Sequence, residues 1–146
     1  MGAQVKWRAD RVIITSSGRL TGVDVMMNDM PDVVPTLAAI APFASTPTRI
    51  RGVGFIRHHE SDRIAALATE LRRLGAEVEE FDDGLGIAPS RLHGAAIETY
   101  NDHRIAMAFA IAGLRTDDVL IKHPGCVAKT YPDFFRDLEG LRETGG

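Results

Sequence analysis

Polar and charged side chains collect in four short segments, each directly before or at the start of an apolar stretch with helical spacing. Arg63, Arg104 and Lys129 are cations in these segments. Because a helix N-terminus presents unpaired N–H groups and about half a positive charge, added cations form a binding site for phosphate or carboxylate. The same segments contain three side chains that could transfer protons, namely Asp32, Glu60 and His103. The pattern therefore indicates proton-transfer chemistry on an anionic substrate.

The acidic residues of these segments also have a purely structural interpretation. Aspartate at a helix start accepts hydrogen bonds from free N–H groups, so we predict helix caps at Asp29, Asp62 and Asp102. Acids in a first turn suit the helix dipole, which favours a structural role for Asp32 taken alone. Capping and catalysis are therefore both open for the acidic side chains.

The basic residues at the helix starts are harder to explain by stability alone. Arg63 and Arg104 run against the helix dipole, so their placement costs a little stability. Placement alone leaves structural and functional roles equally open for this pair. Three further residues favour structural roles when each is taken singly, namely Glu60, His103 and Lys129.

The sequence favours neither a metal site nor a nucleotide site. His58, His59 and His123 lack the helical i, i+4 spacing beside a third ligand that zinc sites show. The Lys129-Thr130 pair lacks the upstream glycines of a phosphate loop. The single Cys126 excludes an intramolecular disulfide and a cysteine zinc cluster, and we interpret it as a small loop residue. We therefore predict no metal and no cofactor.

The composition limits the kinds of partner that the protein could bind and the cellular compartment in which it could act. The 146 residues are 45% hydrophobic and 25% charged, as in an average soluble globular domain. The formal net charge of -3 provides no basic field that would attract nucleic acid or an anionic membrane. No apolar run is long enough to span a bilayer, and residues 1–7 lack the apolar core of a signal peptide. We predict a cytoplasmic protein, since a single cysteine suits a reducing compartment.

A strand–helix pattern that occurs twice positions the polar segments. Runs rich in β-branched and other apolar residues predict strands at residues 5–7, 12–15, 23–26, 48–51, 78–81, 85–88, 95–99 and 119–122. Apolar residues with helical spacing predict helices at residues 33–41, 61–74, 105–111 and 131–142. Gly75 is the predicted stop of the second helix. The two repeats cover about residues 23–75 and 95–143.

This order of elements predicts an α/β fold. Sequential β-α-β units favour parallel strand pairs with helices packed on a sheet. We predict repeated strand–helix units with mixed sheets, forming part of one domain over residues 1–146. In such a layer the helix starts tend to lie along one sheet edge, where ligands bind. Because three strands come before the first helix, we expect the chain to start partway into a larger unit.

Four motifs in the chain occur in order and at suitable spacing. They are Asn28-Asp29-Met30-Pro31-Asp32, His59-Glu60-Ser61-Asp62-Arg63, Asp102-His103-Arg104 and Lys129-Thr130-Tyr131-Pro132-Asp133-Phe134-Phe135. From about Val23 to Phe135 the chain resembles the C-terminal part of the enolpyruvylshikimate-phosphate synthase family. The resemblance implies the strand–helix repeat fold of that family. The N-terminal domain of the family, and part of its C-terminal domain, are expected to be missing here.

The resemblance also implies an activity. This is transfer of the enolpyruvyl group of phosphoenolpyruvate to the 5-hydroxyl of shikimate 3-phosphate, releasing phosphate, in the shikimate pathway to chorismate and aromatic amino acids. By motif, Asp32 is expected to bind the shikimate hydroxyls and act as base, and Glu60 to handle the proton at the methylene carbon. His103 is expected beside them, and the family needs no cofactor. The residues implied to hold the carboxylate and phosphate are Arg63, Arg104 and Lys129.

Two positions depart from the family pattern, and both serve the shikimate side. His59 stands where the family commonly has Lys, and Phe55 where it often has Asn. His59 remains an expected substrate ligand, although histidine is less often charged at neutral pH than lysine.

Other functions remain open beside this activity. One is an anion- or partner-binding module without catalysis. Another is the UDP-N-acetylglucosamine enolpyruvyl transferase of peptidoglycan synthesis, which is disfavoured because it lacks the run from Lys129 to Phe135. As part of an active site, the chain alone is expected to be inactive and to self-associate through uncovered apolar surface.

Overall fold

The computed structural model of the chain describes residues 1–16 and 18–144. Its strands are β1 (Gln4–Trp7), β2 (Val12–Thr15), β3 (Asp24–Met26), β4 (Thr48–Arg51), β5 (Val78–Phe81), β6 (Gly84–Ile87), β7 (Ala96–Ile97) and β8 (Leu120–Ile121). Its α-helices are α1 (Val34–Ile40), α2 (Arg63–Arg73), α3 (His103–Ala112) and α4 (Phe134–Thr144). Short 3₁₀ segments lie at Pro31–Val33, Ala41–Phe43, Gly54–His58 and Pro124–Lys129.

The strands form mixed sheets with two parallel β-α-β units. Strands β3 and β4 pair in parallel with α1 between them in the chain, and β7 and β8 do the same around α3. Antiparallel pairing adds β6 and β5, which gives the order β3-β4-β6-β5. Helices combined with mixed sheets confirm the predicted α/β fold class. The division into repeats at residues 23–75 and 95–143 stays a prediction.

Helix α2 supplies much of the core because its apolar residues recur every three or four positions. The side chains buried along it include Ile64, Leu67, Leu71 and Leu74, each 0% exposed. The helix ends where predicted, since Gly75 has a φ of +91°. The Gly75 N–H donates to the Arg72 carbonyl and the Ala76 N–H to the Leu71 carbonyl, which closes a Schellman motif.

Aspartate caps fix the starts of α2 and α3, as predicted. The Asp62 side chain accepts a hydrogen bond from the Ala65 N–H at 2.9 Å. The Asp102 side chain accepts from the Arg104 N–H, also at 2.9 Å. Each cap satisfies an N–H group that has no partner inside its helix. Both helix starts are therefore fixed at the segments that carry the predicted site residues.

The predicted cap at Asp29 is wrong. Pro31 begins a 3₁₀ turn that leads into α1, and the capping position before it belongs to Met30. The Asp29 carboxylate instead accepts a hydrogen bond from the Asn28 side chain at 2.7 Å. Proline has no N–H and a fixed φ, so it suits the first helical position and moves the helix start away from Asp29.

The β1–β2 hairpin exposes large apolar side chains. Trp7 is 77% exposed and Ile14 is 69% exposed, on paired antiparallel strands. Exposed apolar patches of this kind often mark contact surfaces. Self-association of the chain stays a prediction, and this exposed surface is consistent with it.

Candidate active site

The polar segments predicted from the sequence meet in one cluster of ion pairs. Asp32 lies in the 3₁₀ turn before α1, Glu60 lies just before α2, and Arg63 is the first residue of α2. Arg104 lies in the first turn of α3, and Lys129 ends the 3₁₀ segment that precedes α4. Ion pairs connect all five residues. The structure therefore brings together side chains from four separate segments of the chain.

Arg63 lies at the centre of this cluster, with a side chain that is 1% exposed. Its Nε donates to Asp102 Oδ2 at 2.8 Å, and one terminal nitrogen donates to Glu60 Oε2 at 2.8 Å. The other terminal nitrogen donates to Asp32 Oδ1 at 3.2 Å. Burial acts to lower the pKa of Arg63, but its hydrogen bonds and charge interactions with Asp102, Glu60 and Asp32 together outweigh burial, so the pKa is raised. The guanidinium therefore remains charged and joins three carboxylates.

Asp102 is the buried counterion of Arg63 and is itself 0% exposed. Besides Arg63, the Ser61 hydroxyl donates to Asp102 Oδ2 at 3.0 Å. Burial acts to raise the pKa of Asp102, but the hydrogen bond and charge of Arg63 outweigh it, so the pKa is lowered. Asp102 is therefore a carboxylate at neutral pH that joins α3 to α2, rather than a proton carrier.

Two outer cations flank this centre. The Lys129 Nζ donates to Glu60 Oε1 at 2.7 Å, and a terminal nitrogen of Arg104 donates to Asp32 Oδ2 at 2.8 Å. Lys129 is 58% exposed and Asp32 is 56% exposed, so solvent reaches these outer pairs. The hydrogen bond from Lys129 is the main cause that lowers the pKa of Glu60 to about 2. In this arrangement Glu60 is ionised at neutral pH.

The cluster is electrically balanced, with three cations and three carboxylates. They are Arg63, Arg104 and Lys129 with Asp32, Glu60 and Asp102. An incoming anion can therefore compete with a carboxylate for one of these cations. Exposed ion pairs contribute about 0–1 kcal/mol, so the outer pairs can rearrange at little cost. The buried inner pair resists such exchange because a buried charge without its partner is unfavourable.

Two histidines border the cluster in different surroundings. His59 Nδ1 lies 3.1 Å from a terminal nitrogen of Arg63. Because a guanidinium can only donate, Nδ1 accepts, and the proton of the neutral ring lies on Nε2. His103 is 3% exposed, and neither ring nitrogen has a hydrogen-bond partner within the described part of the chain. Burial lowers the pKa of His103, so this ring is neutral at neutral pH.

A cleft of about 220 Å³ opens beside Asp32 and Arg104. Phe134 and residues of α1 and α3 form its other walls. A larger cavity of about 440 Å³ lies elsewhere and is mostly apolar, with walls that include Leu20, Phe43 and Leu114. We take the smaller cleft as part of the candidate active site, because Asp32 and Arg104 of the cluster line it, whereas no member of the cluster lines the larger cavity.

Sequence reasoning missed the second role of Asp102. It was predicted as a helix cap alone, yet its carboxylate also neutralises Arg63, 39 positions away in the sequence. No local signal in the sequence reports this contact, because it depends on how α2 packs beside α3.

Neither a metal centre nor a membrane span is found in the part of the chain that the structure describes. Within residues 1–16 and 18–144, no three His, Cys, Asp or Glu side chains are grouped so that they could hold a metal ion. None of the helices in these ranges is both long and apolar enough to cross a membrane.

Comparison with known sequences identifies close relatives. The sequence model of the family described as EPSP synthase (3-phosphoshikimate 1-carboxyvinyltransferase) matches residues 1–138. The 3-phosphoshikimate 1-carboxyvinyltransferase of Nostoc punctiforme is 56% identical over 135 residues, covering 92% of this chain and 32% of that protein. The enzyme of the same name from Photorhabdus laumondii is 48% identical over 144 residues, covering 98% and 33%. The chain thus spans about a third of the length of the curated relatives it matches.

Solved structures show the same relationship. EPSP synthase from Acinetobacter baumannii matches with a TM-score of 0.75 and 31% identity, covering 84% of this chain and 31% of that chain. The enolpyruvyl transferase NikO from Streptomyces tendae matches with a TM-score of 0.76 and 25% identity, covering 97% and 33%. Sequence, fold and the four motifs agree, and the chain belongs to the EPSP synthase family.

Proposed function

We propose that this chain supplies one side of an active site for enolpyruvyl transfer. The substrates are phosphoenolpyruvate and shikimate 3-phosphate, and the enolpyruvyl group moves to the 5-hydroxyl with release of phosphate. The observation that carries the proposal is the ion-pair cluster, in which three cations and two proton-transfer carboxylates from four segments converge. A site for two anionic substrates, with proton transfers at the hydroxyl and at the methylene carbon, requires these side-chain types.

The reaction requires proton transfers at the 5-hydroxyl and at the methylene carbon, and Asp32 and Glu60 are suited to perform them. A bond forms between the shikimate 5-oxygen and C2 of phosphoenolpyruvate, and the bond between C2 and the phosphate oxygen breaks. Asp32 takes the hydroxyl proton as the oxygen attacks. Glu60, which takes up a proton from solvent when substrate binds, delivers it to the methylene carbon and takes one back as phosphate leaves. The proton from the hydroxyl finally leaves with phosphate, so atoms and charges balance.

Substrate binding changes the partners of the outer cations. A phosphate or carboxylate group forms short, charge-assisted hydrogen bonds with lysine and arginine. When substrate takes over Lys129, Glu60 loses the hydrogen bond that is the main cause of its low pKa of about 2. Its carboxyl group then holds a proton more readily, as the transfer to the methylene carbon requires. Arg104 releases Asp32 Oδ2 in the same way, and this oxygen becomes free to act as base while Oδ1 stays with Arg63.

His59 and Phe55 face the shikimate side in this proposal. The Nε2–H of neutral His59 can donate a hydrogen bond to an oxygen of the substrate, because Nδ1 is already engaged by Arg63. The Phe55 ring lies 5.8 Å from the His59 ring and helps to hold it. Recognition at this position therefore depends on a neutral hydrogen bond, where lysine would supply a full charge. His103 is buried and neutral, and we place it beside the proton-transfer residues without a proton transfer of its own.

The proposal concerns a complete enzyme, since the chain spans about a third of its relatives. A suitable test replaces the matching third of the Nostoc punctiforme relative with residues 1–138 of this chain and measures phosphate release. We expect turnover, and at least about a hundredfold loss in Asp32→Ala and in Glu60→Gln. Asp29→Ala is the matched control, because this neighbouring carboxylate contacts the Asn28 side chain outside the cluster. Turnover within a few-fold of wild type in both Asp32→Ala and Glu60→Gln would contradict the assignment.

Two further measurements separate the alternatives. Tight binding of both substrates without turnover in the complete enzyme would favour an anion-binding module. Phosphate release with UDP-N-acetylglucosamine in place of shikimate 3-phosphate would favour the other class of transferase. The purified 146-residue chain is expected to show no turnover at high concentration. Phosphate release by that chain, absent in its Glu60→Gln variant, would show that it needs no second domain.

A further inference from the structure

Two consecutive residues in front of α3 adopt a left-handed backbone conformation. The φ angle is 53° at Tyr100 and 55° at Asn101. Asparagine tolerates this region, but a bulky residue such as tyrosine adopts it only where surrounding contacts hold it there. Both residues directly precede Asp102, the buried counterion of Arg63. The orientation of that carboxylate therefore depends on a strained turn.

The turn is closed by a hydrogen bond from the Asp102 N–H to the Thr99 carbonyl at 2.8 Å, and buried Glu70 of α2 adds a side-chain contact that holds it. Its side chain is 0% exposed, and its Oε1 accepts a hydrogen bond from the Tyr100 hydroxyl at 2.7 Å. Its Oε2 accepts from the Arg73 side chain at 2.9 Å and from the Glu98 N–H at 3.1 Å. A buried carboxylate is stable only with such partners. Glu70 therefore joins α2 to the whole approach to α3.

Helix α2 thus holds the segment before α3 at two points. Arg63 contacts Asp102, and Glu70, two turns further along the same helix, contacts Tyr100. Residues seven positions apart lie on nearly the same face of an α-helix. Tyr100 is one of these two points, and Asn101 lies between it and Asp102, so the strained residues lie within the held segment. Loss of the contact between Tyr100 and Glu70 should let the turn relax and so move the Asp102 carboxylate that Arg63 contacts.

We propose that Glu70 and Tyr100 are positioning residues for the reaction, because they hold the strained turn that fixes Asp102 and, through it, the Arg63 guanidinium. The inference rests on the proposed function. Burial, and then the hydrogen bond to Glu70, raise the pKa of Tyr100 to about 12. The hydroxyl therefore remains a donor at every pH at which the enzyme would be assayed.

The first test is kinetic and uses the complete enzyme described above. Tyr100→Phe removes one hydroxyl, and Tyr131→Phe is the matched control because the Tyr131 hydroxyl also donates to a carboxylate, that of Asp137, at 2.8 Å. We expect Tyr100→Phe to lower kcat/KM for phosphoenolpyruvate about tenfold or more, since small displacements at a site are costly. Adding Asn101→Gly should restore part of the loss, because glycine adopts the left-handed turn without strain. A value for Tyr100→Phe within twofold of wild type would overturn the proposal.

The second test is independent of activity and uses the full 146-residue chain. Hydrogen exchange of the Arg63 Nε–H, assigned by its loss in Arg63→Lys, reports the contact with Asp102. We expect exchange about tenfold faster in Tyr100→Phe and unchanged in Tyr131→Phe. Equal exchange in wild type and Tyr100→Phe would also overturn the proposal. If the complete wild-type enzyme transfers no enolpyruvyl group, the proposed function fails, and this exchange still decides whether Tyr100 positions Asp102.

Discussion

Replacing Arg63 with methionine should destabilise the protein strongly, because it leaves the Asp102 carboxylate buried without its cation. The two side chains are 1% and 0% exposed. Removing one partner of a buried ion pair costs about 3–5 kcal/mol. For a chain of this size, each kcal/mol shifts the melting temperature by about 2–4 °C, which predicts a fall of about 6–20 °C. The Asp32 and Glu60 carboxylates add little, since solvent reaches both.

The destabilisation should depend on pH with a definite sign. In the wild type, the folded-state pKa of Asp102 is lowered, so its stabilising contribution is present above the unfolded pKa and is lost only in acid. In Arg63→Met, burial dominates and raises the folded-state pKa above the unfolded value. The folded state then gains stability relative to wild type as the pH falls through that raised pKa. The stability deficit of the variant should therefore shrink from pH 7 towards pH 4.5.

Urea denaturation of the variants between pH 4.5 and 7 provides the measurement. Arg72→Met is the matched control on the same helix, because its side chain is 47% exposed and its loss should cost no more than about 1 kcal/mol. In the double variant Arg63→Met/Asp102→Asn, the deficit should be smaller and nearly independent of pH, since neither member of this buried pair is then charged. A deficit under about 1 kcal/mol at pH 7, or one that stays constant with pH, would refute this reasoning.

Two further predictions concern the pKa of Glu60 and the hydrogen bonds of Arg57. Lys129→Met should raise the pKa of Glu60 from about 2 towards 4.5, as measured by carbon NMR of its carboxyl group. An unchanged pKa would remove the basis for proton transfer triggered by substrate. Arg57→Lys should cost about 1–3 kcal/mol in urea denaturation, because Arg57 donates to the Asp62 and Glu80 carboxylates in a geometry that lysine cannot reproduce. An effect under about 0.5 kcal/mol would show that these bonds are interchangeable.

Much of the local structure could be predicted because its signals lie close together in the sequence. The spacing of leucines along α2 and the stop at Gly75 are set within one helix, and both predictions are confirmed. The caps at Asp62 and Asp102 follow from the same local logic. The wrong cap at Asp29 shows its limit, since Pro31 moves the helix start to Met30. Local sequence rules therefore predict which segments form helices better than they predict the first residue of each helix.

The pairings inside the cluster could not be predicted, because they join residues that are far apart in the chain. Arg104 contacts Asp32 across 72 positions, and Lys129 contacts Glu60 across 69. The motifs indicate which residues belong to the site, but they do not indicate that each cation is paired with a carboxylate. Nor does sequence spacing reveal that Arg63 is buried. These features follow from helix packing, which places four helix starts side by side.

The unequal exposure of the ion pairs determines which contacts a substrate can replace. The inner pair, Arg63 with Asp102, costs about 3–5 kcal/mol to break, whereas each outer pair contributes about 0–1 kcal/mol. In the proposed function, an arriving phosphate exchanges with Asp32 at Arg104 and with Glu60 at Lys129, and it leaves the contact between α2 and α3 intact. The two carboxylates that would lose an outer partner in this way, while keeping their contacts with Arg63, are the two proposed for proton transfer. In this proposal, anion binding also prepares the proton-transfer groups, while the buried pair of Arg63 and Asp102 keeps the helices in position and does not exchange.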